Sequence, residues 1–548
     1  MKTASAPLGS TAPMDELLVA GTLHTMDPSR PRAEAALLRG GRFACVGTRE
    51  ECERRASPSL GFVELGAGCA VPGLADAHGH VALYGRTLAE VSCAGAASEE
   101  ECAARAAKAV RDAAPGSWIR GGGWAQDGWL EPRLPTAATL SLAVPDHPVA
   151  LARADVHALW VNERALRLAG IDGKTADPDG GRIVRDDRGE PTGVLIDNAM
   201  QLVARAMPRP GRAAIEANLL RGLRAAAEVG LTSVHDAGVG PDVLEVYRRL
   251  AEEDRLPVRV YAMLDGQQPI EELDAQMSLW RRTPEVGRLT VRAVKLFADG
   301  ALGSRGAKLF EGYSDAPDTT GLWVTQPAEL RRRIARSAEA GYQPCVHAIG
   351  DEACAEVLSA YAAVPALRAL RPRVEHLQLL RPRDAPLLRA ASAVASMQPS
   401  HATSDAPWAE ARLGRGTERQ RGAYAWRRAL DHGAPLAFGS DFPVEPMDPR
   451  PGLRSAVTRK PSGSVAWMPE QRLSREEALR AFTVGPAFAE HAEGRRGMIR
   501  EGYDADLTVF ERDVLAVPID ELPLLPIAAT VVAGRVEFAG ARALLEGA

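Results

Sequence analysis

Between Val71 and Asp441 the chain repeats one arrangement: a short apolar run, a residue that can bind a cation or move a proton, then an amphipathic stretch. The first run, Val71-Pro-Gly-Leu-Ala-Asp-Ala-His-Gly-His80, ends in His78 and His80. If it is a strand, its period of two sets both imidazoles on one face, where they could share a metal ion. His-x-His alone is weak support, because a strand end can carry two histidines for no chemical reason. Later runs add to it in order. Lys295 stands within Val291–Phe297, His347 closes Gln343–His347, His376 closes Arg373–His376, and Asp441 closes Ala434–Asp441. Four histidines, a lysine in apolar surroundings and an aspartate, each at or near a run's end, are not readily assembled by chance.

The same alternation predicts the architecture. Counted from the run that carries His80, eight strands are expected. The others are Gly230–Asp236, Val258–Leu264, the Lys295, His347 and His376 runs, Ala391–Gln398, and the Asp441 run. Ala213–Glu228, Glu329–Ala340, Glu352–Tyr361 and Ala385–Ala390 read as helices between them. Eight strands alternating with helices make an α/β protein with a (β/α)8 TIM-like barrel, whose chemistry lies at the C-terminal strand ends.

Both ends of the chain have a different texture. Leu17–Gly21, Ala35–Leu38 and Arg42–Gly47 are short apolar runs between Gly and Pro turns, as are Asp506–Phe510, Ala529–Gly534 and Arg535–Phe538. They read as small antiparallel strands forming one β-sandwich from both termini. The expected division is 14–72 and 495–548 for the sandwich and 73–494 for the barrel, after a disordered tail over 1–13. About 150 residues separate His80 from the second barrel strand, too many for one helix and its loops. Residues of about 110–205 are therefore expected to form an insert over the barrel mouth that contributes to substrate choice.

Composition excludes several classes. Hydrophobic content of 46% and charged content of 25% suit an ordinary globular protein, and a net charge of −5 gives no basic surplus for nucleic acid or an anionic membrane. Seven scattered cysteines without Cys-x-x-Cys spacing read as reduced thiols. No secretion signal or membrane-spanning apolar stretch is read, so the expected location is the cytoplasm. Gly121-Gly-Gly123 lacks the Lys-Ser/Thr ending of a phosphate loop, and Gly439-Ser-Asp441 is no nucleophile elbow.

The motifs Pro-Gly-Leu-Ala-Asp-Ala-His-Gly-His, Val-Lys-Leu-Phe-Ala-Asp-Gly-Ala-Leu-Gly-Ser-Arg-Gly-Ala, His-Ala-Ile-Gly-Asp, Val-Glu-His-Leu-Gln and Phe-Gly-Ser-Asp-Phe-Pro-Val-Glu carry a resemblance. From Leu17 to Phe538 the chain resembles metal-dependent hydrolases of the amidohydrolase superfamily, in the branch that includes N-substituted formamide deformylases. The resemblance implies a distorted barrel, a terminal β-sandwich and a site for one or two metals at the matched positions.

A lysine buried in a strand is costly as a cation, and its neutral amine can add carbon dioxide to give a carbamate that bridges two ions. Two divalent ions against carbamate, Asp441 and a hydroxide leave a site near +1. Lys295 salt-bridged to Asp299 or to a neighbouring carboxylate is the competing reading. The expected ligands are His78, His80, Lys295 and Asp441 on one ion and Lys295, His347 and His376 on the other. Zinc is the leading candidate, with iron, manganese and nickel open. Metal-bound hydroxide would attack, and Asp441 would move the proton.

Trp124, Gln126, His157, Arg305 and His401 are candidate substrate contacts. Asp405 could line the pocket, His235 reads as structural or as a substrate contact, and Arg182 and Arg185 read as surface charges. The expected activity is hydrolysis of an amide or amide-like C–N bond, N-formyl included, in a small molecule. A ring-amidine deaminase or a non-catalytic relative would use the same scaffold. Deaminases of this superfamily typically place a Glu shortly after the strand-five histidine, whereas Ala-Ile-Gly-Asp351 follows His347 here. The sequence leaves the oligomeric state open, although the family it resembles often forms dimers and a homodimer is compatible with it.

Overall fold

The computed structural model describes residues 16–58, 60–154, 158–178, 181–461 and 465–540. The expected tail of 1–13 and His157 lie outside them. In chain order the strands begin with β1 (Glu16–His24), β2 (Arg32–Arg39), β3 (Arg42–Gly47), β4 (Gly61–Pro72) and β5 (Leu74–Gly79). Next come β6 (Val91–Ser92), β7 (Ile119–Trp124), β8 (Val149–Arg153), β9 (Ala158–Val161), β10 (Gly181–Arg185) and β11 (Pro191–Asp197). Then follow β12 (Leu231–Val239), β13 (Arg259–Asp265), β14 (Glu285–Val286), β15 (Leu289–Phe297), β16 (Gln343–Ala348), β17 (Arg373–His376), β18 (Val394–Met397) and β19 (Leu436–Phe438). The last are β20 (Leu507–Phe510), β21 (Ile527–Val532) and β22 (Arg535–Ala539).

The chain divides into two compact units, one of 1–82 and 219–548, the other of Leu83–Asn218. In the first, all eight expected barrel strands form and pair in parallel in the order β5, β12, β13, β15, β16, β17, β18, β19, with β14 added antiparallel to β15. The ring closes through backbone bonds from Asp441 N–H to the His78 carbonyl (2.7 Å) and from His80 N–H to the Phe442 carbonyl (2.9 Å). Gly79 is required at this closure, since a Cβ there would stand 2.1 Å from the Phe442 ring. The helices form where periodicity expects them, as Arg212–Glu228, Pro327–Glu339, Asp351–Ala362 and Ala385–Ala391. Pro327–Glu339 shows why: Pro at its start cannot miss an N–H bond, and Leu330, Ile334 and Ser337 bury one stripe.

The two ends of the chain join in one seven-stranded sheet, ordered β22, β21, β20, β4, β1, β2, β3. Strands from opposite sides of the sheet share a core: Phe43 and Val46 of β3 cluster with Ala529 and Val531 of β21, and Val536 of β22 packs against them. The sheet therefore curls back on itself as a sandwich. Its strands are not all antiparallel as expected, because β1 runs parallel to β4 with a register break near Ala20. Arg259 at the start of β13 ties sandwich to barrel through Asp506, with Nε–Oδ2 at 2.7 Å and Nη2–Oδ1 at 3.0 Å.

The second unit is broader than the expected insert of 110–205 and carries its own six-stranded sheet, ordered β10, β11, β9, β8, β7, β6. Its core gathers Trp124, Trp129, Trp160, Leu140, Leu151 and Val194. The Gly121–Gly123 run serves close packing: a Cβ on Gly121 would lie 2.1 Å from the Val91 carbonyl oxygen. None of the seven cysteines forms a disulfide. Among the described residues no helix is long and apolar enough to cross a membrane.

Candidate metal centre

His78 and His80 stand at the C-terminal end of β5 with their Nδ1 atoms already engaged. His78 Nδ1 bonds Glu375 Oε2 at 2.6 Å, and His80 Nδ1 bonds the Ala237 carbonyl at 3.0 Å. A carboxylate and a carbonyl can only accept, so both rings carry their proton on Nδ1. The Nε2 lone pairs are left for other work, and both point toward Asp441 Oδ1, at 3.7 Å from His78 and 3.3 Å from His80. Ligand atoms of His78, His80 and Asp441 lie within 4.8 Å of one another, as do those of His376, His401 and Asp441.

Lys295 enters from β15, its Nζ 3.2 Å from His78 Nε2 and 4.8 Å from the centre of the Phe297 ring. His347 ends β16 with its ring 4.5 Å from that of His376, which is 4.8 Å from His78. All six predicted ligand positions thus face one another across the barrel mouth. The competing pairing of Lys295 with Asp299 is not formed. Asp299 instead accepts the backbone N–H groups of Lys308, Ile349 and Gly350 at 2.8–3.0 Å.

Two of these residues have unusual backbones. Asp441 has φ 61° and His376 φ 71°, left-handed conformations that cost a non-glycine residue of order 1–3 kcal/mol and persist only where surroundings enforce them. For His376 the consequence is legible. Strict alternation would send Glu375 and His376 to opposite faces of β17, yet Glu375 bonds His78 and the His376 ring lies against His78. The positive φ breaks the alternation and brings both side chains to one site.

Beneath the imidazoles lies a buried ionic layer that sequence reasoning missed. Arg373 and Glu375 are fully buried and paired, Nε to Oε1 at 2.8 Å. Arg373 also donates to the Ala77 carbonyl (2.5 Å), Ser396 Oγ (2.9 Å) and His235 Nδ1 (2.9 Å). His235 is therefore a structural acceptor. Gln398 Oε1 takes the His376 Nδ1 proton at 2.9 Å, freeing His376 Nε2. Asp76 accepts from His78 N–H (3.0 Å), Ser440 N–H (3.0 Å) and Ser440 Oγ–H (2.6 Å), fastening β5 to the segment that presents Asp441. The available signal was two opposite charges two residues apart, Arg373 and Glu375, on the short strand that ends in His376.

Burial sets the protonation states. It pushes His78 down to about 4, His347 down to about 3 and His376 well below the ordinary imidazole value. It pushes Lys295 down to about 8, within reach of the neutral amine, and Asp76 up to about 7. Burial opposes charge on Glu375 and Asp441 too, but Arg373 and His78 outweigh it for Glu375, and His80 with the other imidazoles outweighs it for Asp441. Both carboxyls stay well below their usual range.

These donors fit a cation. Burial keeps His78, His347 and His376 neutral, whereas at His80 it is outweighed by Asp441, which raises that ring above the ordinary imidazole value. The tautomers at His78 and His376 are fixed by second partners, His80 Nδ1 is engaged by the Ala237 carbonyl, and the buried Nε2 atoms of His347 and His401 have no hydrogen-bond partner. Nitrogen and carboxylate donors of this kind suit first-row divalent metals.

The other expected contacts are placed differently. His401 is buried in the first turn of the helix Pro399–Leu413, its Nε2 3.9 Å from Asp441 Oδ2. Asp405 in the same helix accepts from the Tyr424 hydroxyl. Arg305 is partly exposed and bound to Asp315 at 2.8 Å. In the second unit Trp124 is fully buried and donates to the Leu151 carbonyl at 2.8 Å, while Gln126 Oε1 accepts from Arg153 at 2.9 Å.

A parallel barrel with histidines and an aspartate at its strand ends defines a metal-dependent hydrolase fold. The chain belongs to the amidohydrolase family, whose model matches residues 62–538. Over 94% of the chain and 98% of the relative it is 34% identical to YtcJ of Bacillus subtilis (strain 168). It is 28% identical to the N-substituted formamide deformylase of Arthrobacter pascens, over 96% of this chain and 98% of that one. Among solved structures it resembles an uncharacterized metal-dependent hydrolase from Pyrococcus horikoshii OT3, with TM-score 0.79, 27% identity, and coverage of 92% and 99%.

Proposed function

We propose that this hydrolase cleaves a carbon–nitrogen bond, amide or amide-like and N-formyl among them, in a small molecule, using two divalent cations, zinc first. The observation that carries the reading is the gathering of His78, His80, Lys295, His347, His376 and Asp441 at the C-terminal ends of the barrel strands, each within reach of another member of the set. Likeness to a formamide deformylase over almost the whole chain supports the bond type.

His78, His80 and Asp441 would hold one ion and His347 with His376 the other, Lys295 serving both once its neutral amine has added carbon dioxide and shed a proton. The ions, when bound, would supply acidification of water and polarisation of the substrate carbonyl. Asp441, ionised throughout the working range, accepts the proton of the attacking water and passes it to the leaving nitrogen. The balance is that of hydrolysis: a C–O bond forms, the C–N bond breaks, and amide plus water give carboxylic acid plus amine. Glu375 holds the His78 ring, Gln398 the His376 ring, and Asp76 the backbone and hydroxyl of Ser440 beside Asp441, so the charged groups need little reorganisation during the reaction.

The test is a panel of N-formyl, N-acyl and cyclic amides offered to metal-replete protein, with amine and acid release measured. Release that stops on chelation is expected. Silence on every amide, with ammonia released from cyclic amidines, would replace this reading with deamination.

A further inference from the structure

A second group of metal-binding side chains lies in the sandwich, apart from the barrel mouth. His24 ends β1, Cys69 lies in β4, and Asp513 follows β20. Register brings them together: Thr22 of β1 pairs with Cys69 in parallel, and Phe510 of β20 pairs with Cys69 in antiparallel. One ligand atom from each residue lies within 4.8 Å of the other two, and His24 Nε2 is 2.8 Å from Asp513 Oδ1. His24 and Cys69 are buried, whereas the Asp513 side chain is 29% exposed, which leaves one open side.

We propose that His24, Cys69 and Asp513 form a separate site for a thiophilic divalent cation of the zinc class. Thiolate, imidazole and carboxylate are all zinc ligands, and three protein donors with one open position make a four-coordinate site completed by water. Charge favours it, because a divalent ion, a thiolate and a carboxylate sum to zero around a neutral imidazole. That balance makes burial acceptable. The site is also supported from outside. Asp513 Oδ1 accepts Leu515 N–H at 2.9 Å, and Cys69 Sγ accepts Val514 N–H at 3.3 Å, a bond that favours the thiolate. Without the ion, the thiol proton has the Arg512 carbonyl at 3.7 Å, a weak partner.

For the His24–Asp513 pair the required movement is small. Around tetrahedral zinc, a nitrogen and an oxygen each about 2.0 Å from the ion stand roughly 3.3 Å apart. Binding thus replaces the His24–Asp513 proton by the ion with a shift of about half an ångström. The ion would clip together β1, β4 and the turn after β20, three segments far apart in sequence, and stabilise the sandwich by mass action.

Cobalt distinguishes this site from the barrel centre, which offers no cysteine among its six candidate ligands. Full-length protein, stripped with chelator and kept reduced, is titrated with Co²⁺ and followed in the near ultraviolet, where a thiolate-to-cobalt charge-transfer band reports a sulfur ligand. The expected result is a band saturating at one ion per chain, absent in Cys69→Ser and kept in Cys93→Ser. Asp513→Asn, at a partly exposed position, is the second variant in case Cys69→Ser does not fold. It should weaken the band's cobalt affinity by about tenfold or more. Absence of the band in wild type, its persistence in Cys69→Ser, or an unchanged affinity in Asp513→Asn overturns the proposal. No amide substrate enters this measurement, so it stands or falls independently of the proposed hydrolysis.

Discussion

Glu375→Gln is the most informative single change at the centre, because it alters charge with almost no change of shape. Glu375 is fully buried and serves two partners, His78 Nδ1 at 2.6 Å and Arg373 Nε at 2.8 Å. Two effects follow, and they can be separated. Without the carboxylate, Arg373 keeps a buried positive charge whose remaining partners are neutral: the Ala77 carbonyl, Ser396 and His235. Breaking such a pair costs about 3–5 kcal/mol, a large share of the roughly 5–15 kcal/mol that holds a protein folded. At His78 an amide replaces the carboxylate that makes the ring a better donor, and loss of such a partner weakens metal binding about 10- to 100-fold.

Urea unfolding of chelated protein reads the first effect, and competition with a metal-binding dye reads the second. Adding Arg373→Met to Glu375→Gln removes the stranded charge but not the His78 defect. Stability should therefore recover in part while metal affinity stays low. If Glu375→Gln unfolds within about 1 kcal/mol of wild type and binds metal equally well, the buried layer is not what supports His78.

Lys295→Ala should abolish activity, with partial rescue by a short carboxylic acid; in the wild type, metal reconstitution should be faster with bicarbonate than in carbon-dioxide-free buffer. Indifference to bicarbonate together with an active Lys295→Ala would make the lysine structural. Asp441→Asn, with its metal content restored, should fall at least about a hundredfold in kcat and lose or shift the acid limb of its pH–rate profile. Near wild-type turnover would leave Asp441 a ligand only, with His401 the next base to test. Asp506→Asn should destabilise the protein by about 3 kcal/mol in urea unfolding, the low end for a buried pair, because Asp504 stays 3.4 Å from Arg259. Burial opposes the Asp506 charge, but Arg259 outweighs it and lowers the carboxyl below its ordinary value. Its stabilisation is thus complete above about pH 4, is lost as pH falls through the folded value, and should be missing from the acid-unfolding profile of the variant.

Much of this protein was determined by local pattern. Apolar runs ending in His78, His80, His347, His376 and Asp441 specify parallel strands and put chemistry at their C-terminal ends, because the barrel fixes where strand ends go. Lys295 stood out because a cation in an apolar strand is itself an anomaly. Partnership across strands was decided only by the tertiary structure. Register of β17 against its neighbours sets Arg373 and Glu375 beneath His78, and a positive φ lets His376 join the same face as Glu375. Trp124 stands in the second unit's own core and Arg305 in an ion pair with Asp315, arrangements that composition and spacing do not encode. The physical reason is range. Periodicity reports which face a residue takes within its own strand, whereas hydrogen bonds, burial and proton affinity depend on groups tens to hundreds of residues away, as with His78 and Glu375, 297 positions apart.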